Sequence, residues 1–402
     1  MKRIFSIITA VAMIATMFVC FAVTGSAEEV WDGVIPTAND DYAFSGGSGT
    51  KDDPYLISTA ADLAQLSANV NEFNEYAGKY FKFTADIVLN KDYKNYKTWD
   101  TNPPANNWKC IGLNNNYDVN SVFKGTIYGD GHVIKGMYSQ NPHTEGGWSA
   151  AVGLFGCLCG EVYDLGIEYS VAYSNPEVER VATGVFAAYI GNCVHPEVAG
   201  KLSRCYVANS MAVACGEVGL FGGFVTGNVE ISDCYATGTV KAPGTRARNS
   251  GIAGEIYAGD AMYTIIKNCY SFVDIITNVE DMSHQIAGVA ESGGDDNVQI
   301  TNCYFDSTKC SSTQKAAIYG KLLNADGSIN TELVDVTDLA GAKGTVKNMK
   351  LSSNIWVDGA NGPVLKAFAN NGSAATADIM SVCLITASVA AVACIFVSKK
   401  RR

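Results

Sequence analysis

The sequence predicts an all-β chain wound as a right-handed parallel β-helix, a β-solenoid with a short N-terminal capping helix and a C-terminal transmembrane helix. Three observations lead there. Val and Ile number 64 against 17 Leu, a ratio that favours strands over helices. Gly accounts for 40 of 402 residues and Pro for 9, so the chain turns often while its backbone stays hydrogen-bonded. Two short landmarks also recur in fixed order, the first of them at separations of 31 to 37 residues, the period of stacked supersecondary units. With 48% hydrophobic residues the chain can bury a core, which excludes disorder over most of its length.

The first element is a secretory signal peptide over residues 1–27: Lys2 and Arg3 precede an apolar run from Ile4 to Val23, followed by Gly25, Ser26 and Ala27. Residues 28–53 lead into the body, and residues 54–145 hold the capping helix and the first coils. Thr59 is placed to cap that helix, Asp62 completes a capping box, and Leu63, Leu66 and Val70 share one face. Laid over the first coil, such a helix would cover open strand edges.

Residues 146–312 are the repeats. Gly153-Leu154-Phe155-Gly156 is echoed by Gly184-Val185-Phe186-Ala187 and Gly219-Leu220-Phe221-Gly222, and more weakly by Gly251-Ile252-Ala253-Gly254 and Gly288-Val289-Ala290-Glu291. The second landmark is Arg204-Cys205-Tyr206, Asp233-Cys234-Tyr235, Asn268-Cys269-Tyr270 and Asn302-Cys303-Tyr304, with Asp164-Leu165-Gly166 in that place in the first unit. A single unit of short strands cannot cover its own apolar face, whereas stacked units bury a continuous core. Gly is expected where the chain turns, since it takes positive φ without steric cost. The four landmark cysteines should form one column, with their thiols mainly reduced and packed as small apolar groups.

Residues 313–371 form the C-terminal cap and linker, with residues 337–368 expected to close the far end. Residues 379–398 are the transmembrane helix: Ile379 to Val397 is a 19-residue stretch without a charge, and the basic cytoplasmic tail 399–402 follows at once. This layout also resembles a cell-wall sorting signal. Ala374-Ala375-Thr376-Ala377-Asp378 lacks the Leu-Pro pair and the Gly of such a signal, so a plain span is expected, with the body outside the cell. Setting aside the six terminal basic residues leaves 23 basic against 40 acidic residues, a net −17. Such a surface repels phosphate backbones, which excludes nucleic acid as a partner.

The ordered landmarks resemble the GLUG repeats of bacterial cell-surface proteins. Trp31-Asp32-Gly33, Asp53-Pro54-Tyr55-Leu56-Ile57, Phe123-Lys124-Gly125-Thr126, Asp130-Gly131-His132 and Asn361-Gly362-Pro363-Val364-Leu365 are similar to the flanking segments of that family, so the resemblance covers roughly residues 31 to 366. Tyr128 departs from it, standing where such proteins commonly have an acidic residue. The resemblance implies a surface-exposed solenoid and gives Trp108, Ile111, Gly112 and His132 structural roles.

Chemical motifs are few. The sequence has no HExxH, GxSxG or P-loop, so no catalytic residue is assigned. No metal or cofactor is expected either. Cys157 and Cys159 stand two apart rather than in a zinc-binding spacing, and His143, His195 and His284 lack a metal partner at short spacing. Asp295 and Asp296 read as a solvated loop tip. The best binding candidate is the insertion from Asn90 to Trp108, where Tyr93, Tyr96 and Trp99 stand among Asn, Lys and Asp residues. Aromatic faces with nearby amides suit sugar rings, and the same aromatics could instead pin the loop to the coil beneath. The expected function is therefore a membrane-anchored surface protein that binds an extracellular glycan or a surface protein without catalysis. The alternative is a polysaccharide-cleaving lyase or glycoside hydrolase whose site is assembled from distant coils.

Overall fold

The structure is a computed structural model that describes residues 28–369, apart from 73, 113–120, 141–150, 179–180, 192–198, 244–247, 258–261, 278–282, 290–296, 310–317 and 320–329. The signal peptide, transmembrane helix and basic tail lie outside the described residues. So do His143, His195, Asp295 and Asp296. No helix among the described residues is long and apolar enough to cross a membrane.

The chain climbs in parallel coils, each strand pairing with its counterpart one repeat later. One column runs through Tyr80–Phe83, Thr126–Tyr128, Glu161–Tyr163, Gly200–Ser203, Val229–Ser232, Thr264–Lys267 and Val298–Phe305. A second runs through Val133–Lys135, Gly166–Glu168, Tyr206–Val213, Tyr235–Ala242 and Tyr270–Thr277. Two shorter sheets complete the cross-section. One starts from Ala151–Val152, Ala182–Gly184 and Glu217–Gly219, the other from Phe155–Leu158, Ala187–Ile190 and Gly222–Thr226. The fold is thus mainly β, with long parallel sheets stacked in register as a β-solenoid.

Register turns the two landmarks into columns of like side chains. Phe123, Phe155, Phe186 and Phe221 stack inside with successive ring centroids 5.6, 6.1 and 5.5 Å apart. Leu165, Cys205, Cys234, Cys269 and Cys303 form a second, fully buried column. The Cys205 amide donates to Cys234 Sγ and the Cys234 amide to Cys269 Sγ, each at 3.4 Å. Burial pushes the thiols of Cys234 and Cys303 up.

Gly131, Gly136, Gly191 and Gly227 take the positive φ expected at turns, at 83, 70, 78 and 87°, but the turn before each landmark cysteine is made without glycine. Asp164, Arg204, Asp233, Asn268 and Asn302 are the left-handed residues there, with φ of 53, 54, 53, 55 and 50°. Asp and Asn tolerate that region because a short polar side chain bonds locally. Among the landmark glycines Gly153 has a positive φ of 156°, and others serve close approach. Gly184 is not left-handed, but a β-carbon on it would lie 2.1 Å from the Ala187 carbonyl oxygen.

The helix Ala60–Asn71 forms as predicted, with the complete capping box between Thr59 and Asp62. Leu63, Leu66 and Val70 are buried in the core, against the first rung Tyr55–Ile57. Losing such a cap costs about 1 kcal/mol.

At the other end Val334–Asp338 pairs with Val298–Phe305 as the last rung. The segment expected to close that end runs back along the side. Residues 339–369 form a strap over an outward ladder of Tyr206, Tyr235 and Tyr270, whose rings stack at 4.9 and 5.0 Å with interplanar angles of 3 and 9°. Phe368 meets Tyr206 edge-on at 4.7 Å, and Trp356 lies 6.0 Å from Tyr235 and 5.9 Å from Tyr270. The physical reason lies in alternation. With cysteine inward, the next residue points outward, and a row of outward aromatic rings needs a cover. Gly166 replaces tyrosine at the ladder's start because a β-carbon there would sit 2.5 Å from the Tyr206 ring.

Candidate functional site

The insertion between Asn90 and Trp108 is closed at its neck by two amides. The Asn106 backbone donates to Asn90 Oδ1 at 3.0 Å, and Asn90 Nδ2 returns a bond to the Asn106 carbonyl at 2.9 Å. Asp92 enters the left-handed region at φ 55° and starts a 3₁₀ turn over Tyr93–Thr98. That turn throws its aromatic residues back onto the solenoid. Tyr93 and Tyr96 lie 5.4 and 5.9 Å from the Tyr169 ring, and Trp99 lies 6.3 Å from Tyr138. An ion pair of 2.6 Å between Lys241 and Asp100 ties the loop to the strand Tyr235–Ala242, two coils beyond Tyr169.

Tyr96 and Trp99 are each 5% exposed, so their faces are occupied by this packing. Burial pushes the Tyr96 phenol up to about 12. Tyr93 is half-buried, and its hydroxyl donates to Glu28 at 3.1 Å.

An open cleft of about 650 Å³ lies beside the loop. Trp99 lines it together with Trp31, Lys91, Asn95, Asn102 and Pro103, whereas Tyr93 and Tyr96 do not. The structure therefore brings one of the three predicted residues to a cavity. The sequence reading missed Trp31, about seventy residues away in the chain. A bridge between Val30 and Val88 and an edge contact of 5.6 Å with Trp108 place it there. The Trp31 indole N–H is buried and has no hydrogen-bond partner among the described residues. Asn95 and Asn102 are exposed on the rim and can both donate and accept. The cleft thus has in its wall an indole with an unused donor and on its rim amides, an arrangement suited to hydroxyl groups.

Other polar clusters stand apart from this cleft. His132 Nδ1 lies 3.3 Å from Asp86, and Lys135 bridges Asp86 and Glu28 at 3.1 Å each. Glu217 and Glu255 are buried side by side, with Arg248 paired to Glu255 and 4.0 Å from Glu217. Burial, reinforced by the charge of Glu255, pushes the Glu217 carboxyl up to about 7. Among the described residues no group of three or more His, Cys, Asp or Glu could hold a metal ion.

No family model matches the chain. Over 158 residues the chain is 33% identical to a protein of Evansella cellulosilytica named "Putative Gly-rich membrane protein", a match covering 39% of this chain and 15% of that protein. Among solved structures, a "putative immunoglobulin A1 protease" from Bacteroides ovatus superposes with a TM-score of 0.48 at 19% identity, covering 81% of this chain and 96% of that one. The chain is a parallel β repeat protein by its fold, with a distant relative that is named a membrane protein.

Proposed function

We propose that the protein is a surface solenoid of the GLUG-repeat type, held in the membrane by its 379–398 helix, that binds an extracellular glycan in the cleft beside the 90–108 loop without catalysis. The winding is right-handed, as nearly all crossovers between parallel strands are. The observation that carries the reading is the unpartnered Trp31 indole N–H. A buried donor left unpaired costs folding free energy, and a ligand hydroxyl or carbonyl would satisfy it. The loop aromatics act through this cleft by fixing its wall.

Trp31→Phe tests the reading, because it keeps an aromatic face while removing the five-membered ring that carries the N–H. The full chain in detergent, applied to a glycan array, should retain a glycan that Trp31→Phe and Asn102→Ala lose, while circular dichroism and a cooperative melt show that both variants remain folded. A chain that retains no glycan, or variants that bind as the parent does, would count against it.

A further inference from the structure

The strap does not cover the flank completely. Beside the tyrosine ladder an open groove of about 560 Å³ remains between the solenoid and residues 341–344 and 360–364. Its floor is the neighbouring outward column, which includes Glu168, Ala208, Thr237 and Phe272. Successive rungs of such a column lie ~4.8 Å apart, so the groove suits a chain better than a single ion.

The charges in the groove are unequal in availability. Asp306 is engaged: its Oδ1 accepts from the Thr308 amide at 3.0 Å, the Thr308 hydroxyl at 2.6 Å and the Gly341 amide at 3.0 Å, which fastens the strap. Lys309 and Lys343 are exposed and line the same groove. Glu168 is different again. It is 1% exposed, its Oε1 accepts from the Tyr206 hydroxyl at 2.7 Å, and its Oε2 has no partner among the described residues. Burial pushes its carboxyl up, against the donation from Tyr206 and the charge of Lys135, while Asp86 adds to the rise. In its protonated form this carboxyl is a donor without an acceptor. Half-buried Phe272 adds an apolar face, and exposed Asn209 and Asn361 add amides.

Two exposed cations, beside one carboxylate held by three local donors and another that is buried, select an anion. An apolar face bordered by amides selects a ring bearing hydroxyls. From these together we infer that the groove under the strap is a second binding site, separate from the loop cleft, and that it takes a uronate-bearing oligosaccharide. The sugar carboxylates lie towards Lys309 and Lys343, a ring lies on Phe272, and a ring oxygen or hydroxyl accepts from Glu168.

Calorimetry on the full chain in detergent tests this with two probes, a galacturonate oligomer and the uncharged galactose oligomer of the same length. The uronate oligomer should bind and the neutral one should not. The double variant Lys309→Gln/Lys343→Gln should weaken uronate binding by about tenfold or more, since each lysine supplies a charge-assisted bond. Glu168→Gln keeps an uncharged donor and should bind within about twofold of the parent, whereas Glu168→Leu should lose affinity. Trp31→Phe should leave uronate binding unchanged, so that failure of one site is distinguishable from failure of the other. Equal binding of both probes, no binding of the uronate, or an unaffected double lysine variant overturns the proposal. A loss in Trp31→Phe that the lysine variant does not share also overturns it, by placing the ligand in the loop cleft.

Discussion

Arg204 and Asp164 occupy equivalent left-handed turns one coil apart, and the guanidinium of the first grips the carboxylate of the second through two bonds of 2.7 Å. Of the five turns in this column, Arg204 alone has neither Asp nor Asn. Its side chain is too long for the backbone bond that a short Asp or Asn makes, and besides a bond of 3.3 Å to Ser203 Oγ it is the contact to the coil below that offsets the backbone cost. Replacing Arg204 with Ala should therefore destabilise the chain by about 1–2 kcal/mol, while Arg204→Asn should recover most of that loss. Urea unfolding of the two variants decides between them; equal losses would mean that the ion pair does not hold the turn.

The strap predicts a separable loss. Trp356 is 1% exposed, packs on two tyrosines and donates from Nε1 to Asp233 at 3.3 Å. Trp356→Ala should cost about 3 kcal/mol. It should also open residues 339–369 to protease well before the coils are cut. Digestion beginning within the repeats would show that the strap does not come away as a unit.

Glu217 gives a pH dependence. With its carboxyl raised to about 7 in the folded chain from an ordinary value of 4.5, the folded state holds a proton that the unfolded state has released between those values. Stability contributed by this residue is therefore present at low pH and falls as pH rises towards 7. Glu217→Gln removes this residue's share of the dependence, leaving that of Glu255, whose carboxyl burial also pushes up, and at about pH 8 it should be more stable than the parent by up to about 3 kcal/mol. Thermal melts of both proteins across that range test the slope. A parent that grows more stable with rising pH while the variant does not would contradict it.

The thiols should be countable. Eight cysteines are buried and unbridged among the described residues. Chain unfolded in denaturant without reductant should label most of them with maleimide. Near-zero labelling would mean that the column cross-links.

Anchoring has its own test. Detergent should release the intact chain from isolated envelopes. Retention until the wall is digested, with loss of the residues after Thr376, would mean covalent attachment to the wall instead.

The repeats were legible because stacking needs only a period. Gly-Leu-Phe-Gly and the Asn-Cys-Tyr series mark the same two places in each coil, and register converts them directly into the phenylalanine and cysteine columns. The capping box was legible because it is local: Thr59 and Asp62 are three residues apart. What stayed hidden was long-range. Nothing near Trp356 signals that its partners are Tyr235 and Tyr270, because an outward tyrosine reads like any surface residue until the chain returns to cover it. The loop aromatics were found as residues but not as packing. Sequence shows Tyr96 and Trp99 on one short insertion, while Tyr169 and Tyr138, which receive them, belong to other coils. Trp31 reached the cleft by the same kind of distant bridging.

The strap also sets the order in which a pulling force is felt. Tension applied beyond Ala369 meets the contact of Phe368 with Tyr206 first, then Trp356 on Tyr235 and Tyr270, and only then the hydrogen-bonded rung at Val334–Asp338. These contacts are loaded one after another, so they peel in sequence and need not break together. Once free, residues 339–369 can extend by roughly 100 Å at ~3.3 Å per residue. The coils themselves carry no load until that slack is used. A tethered solenoid built this way has a mechanical fuse on its flank, one that yields and can re-form while the rungs stay wound.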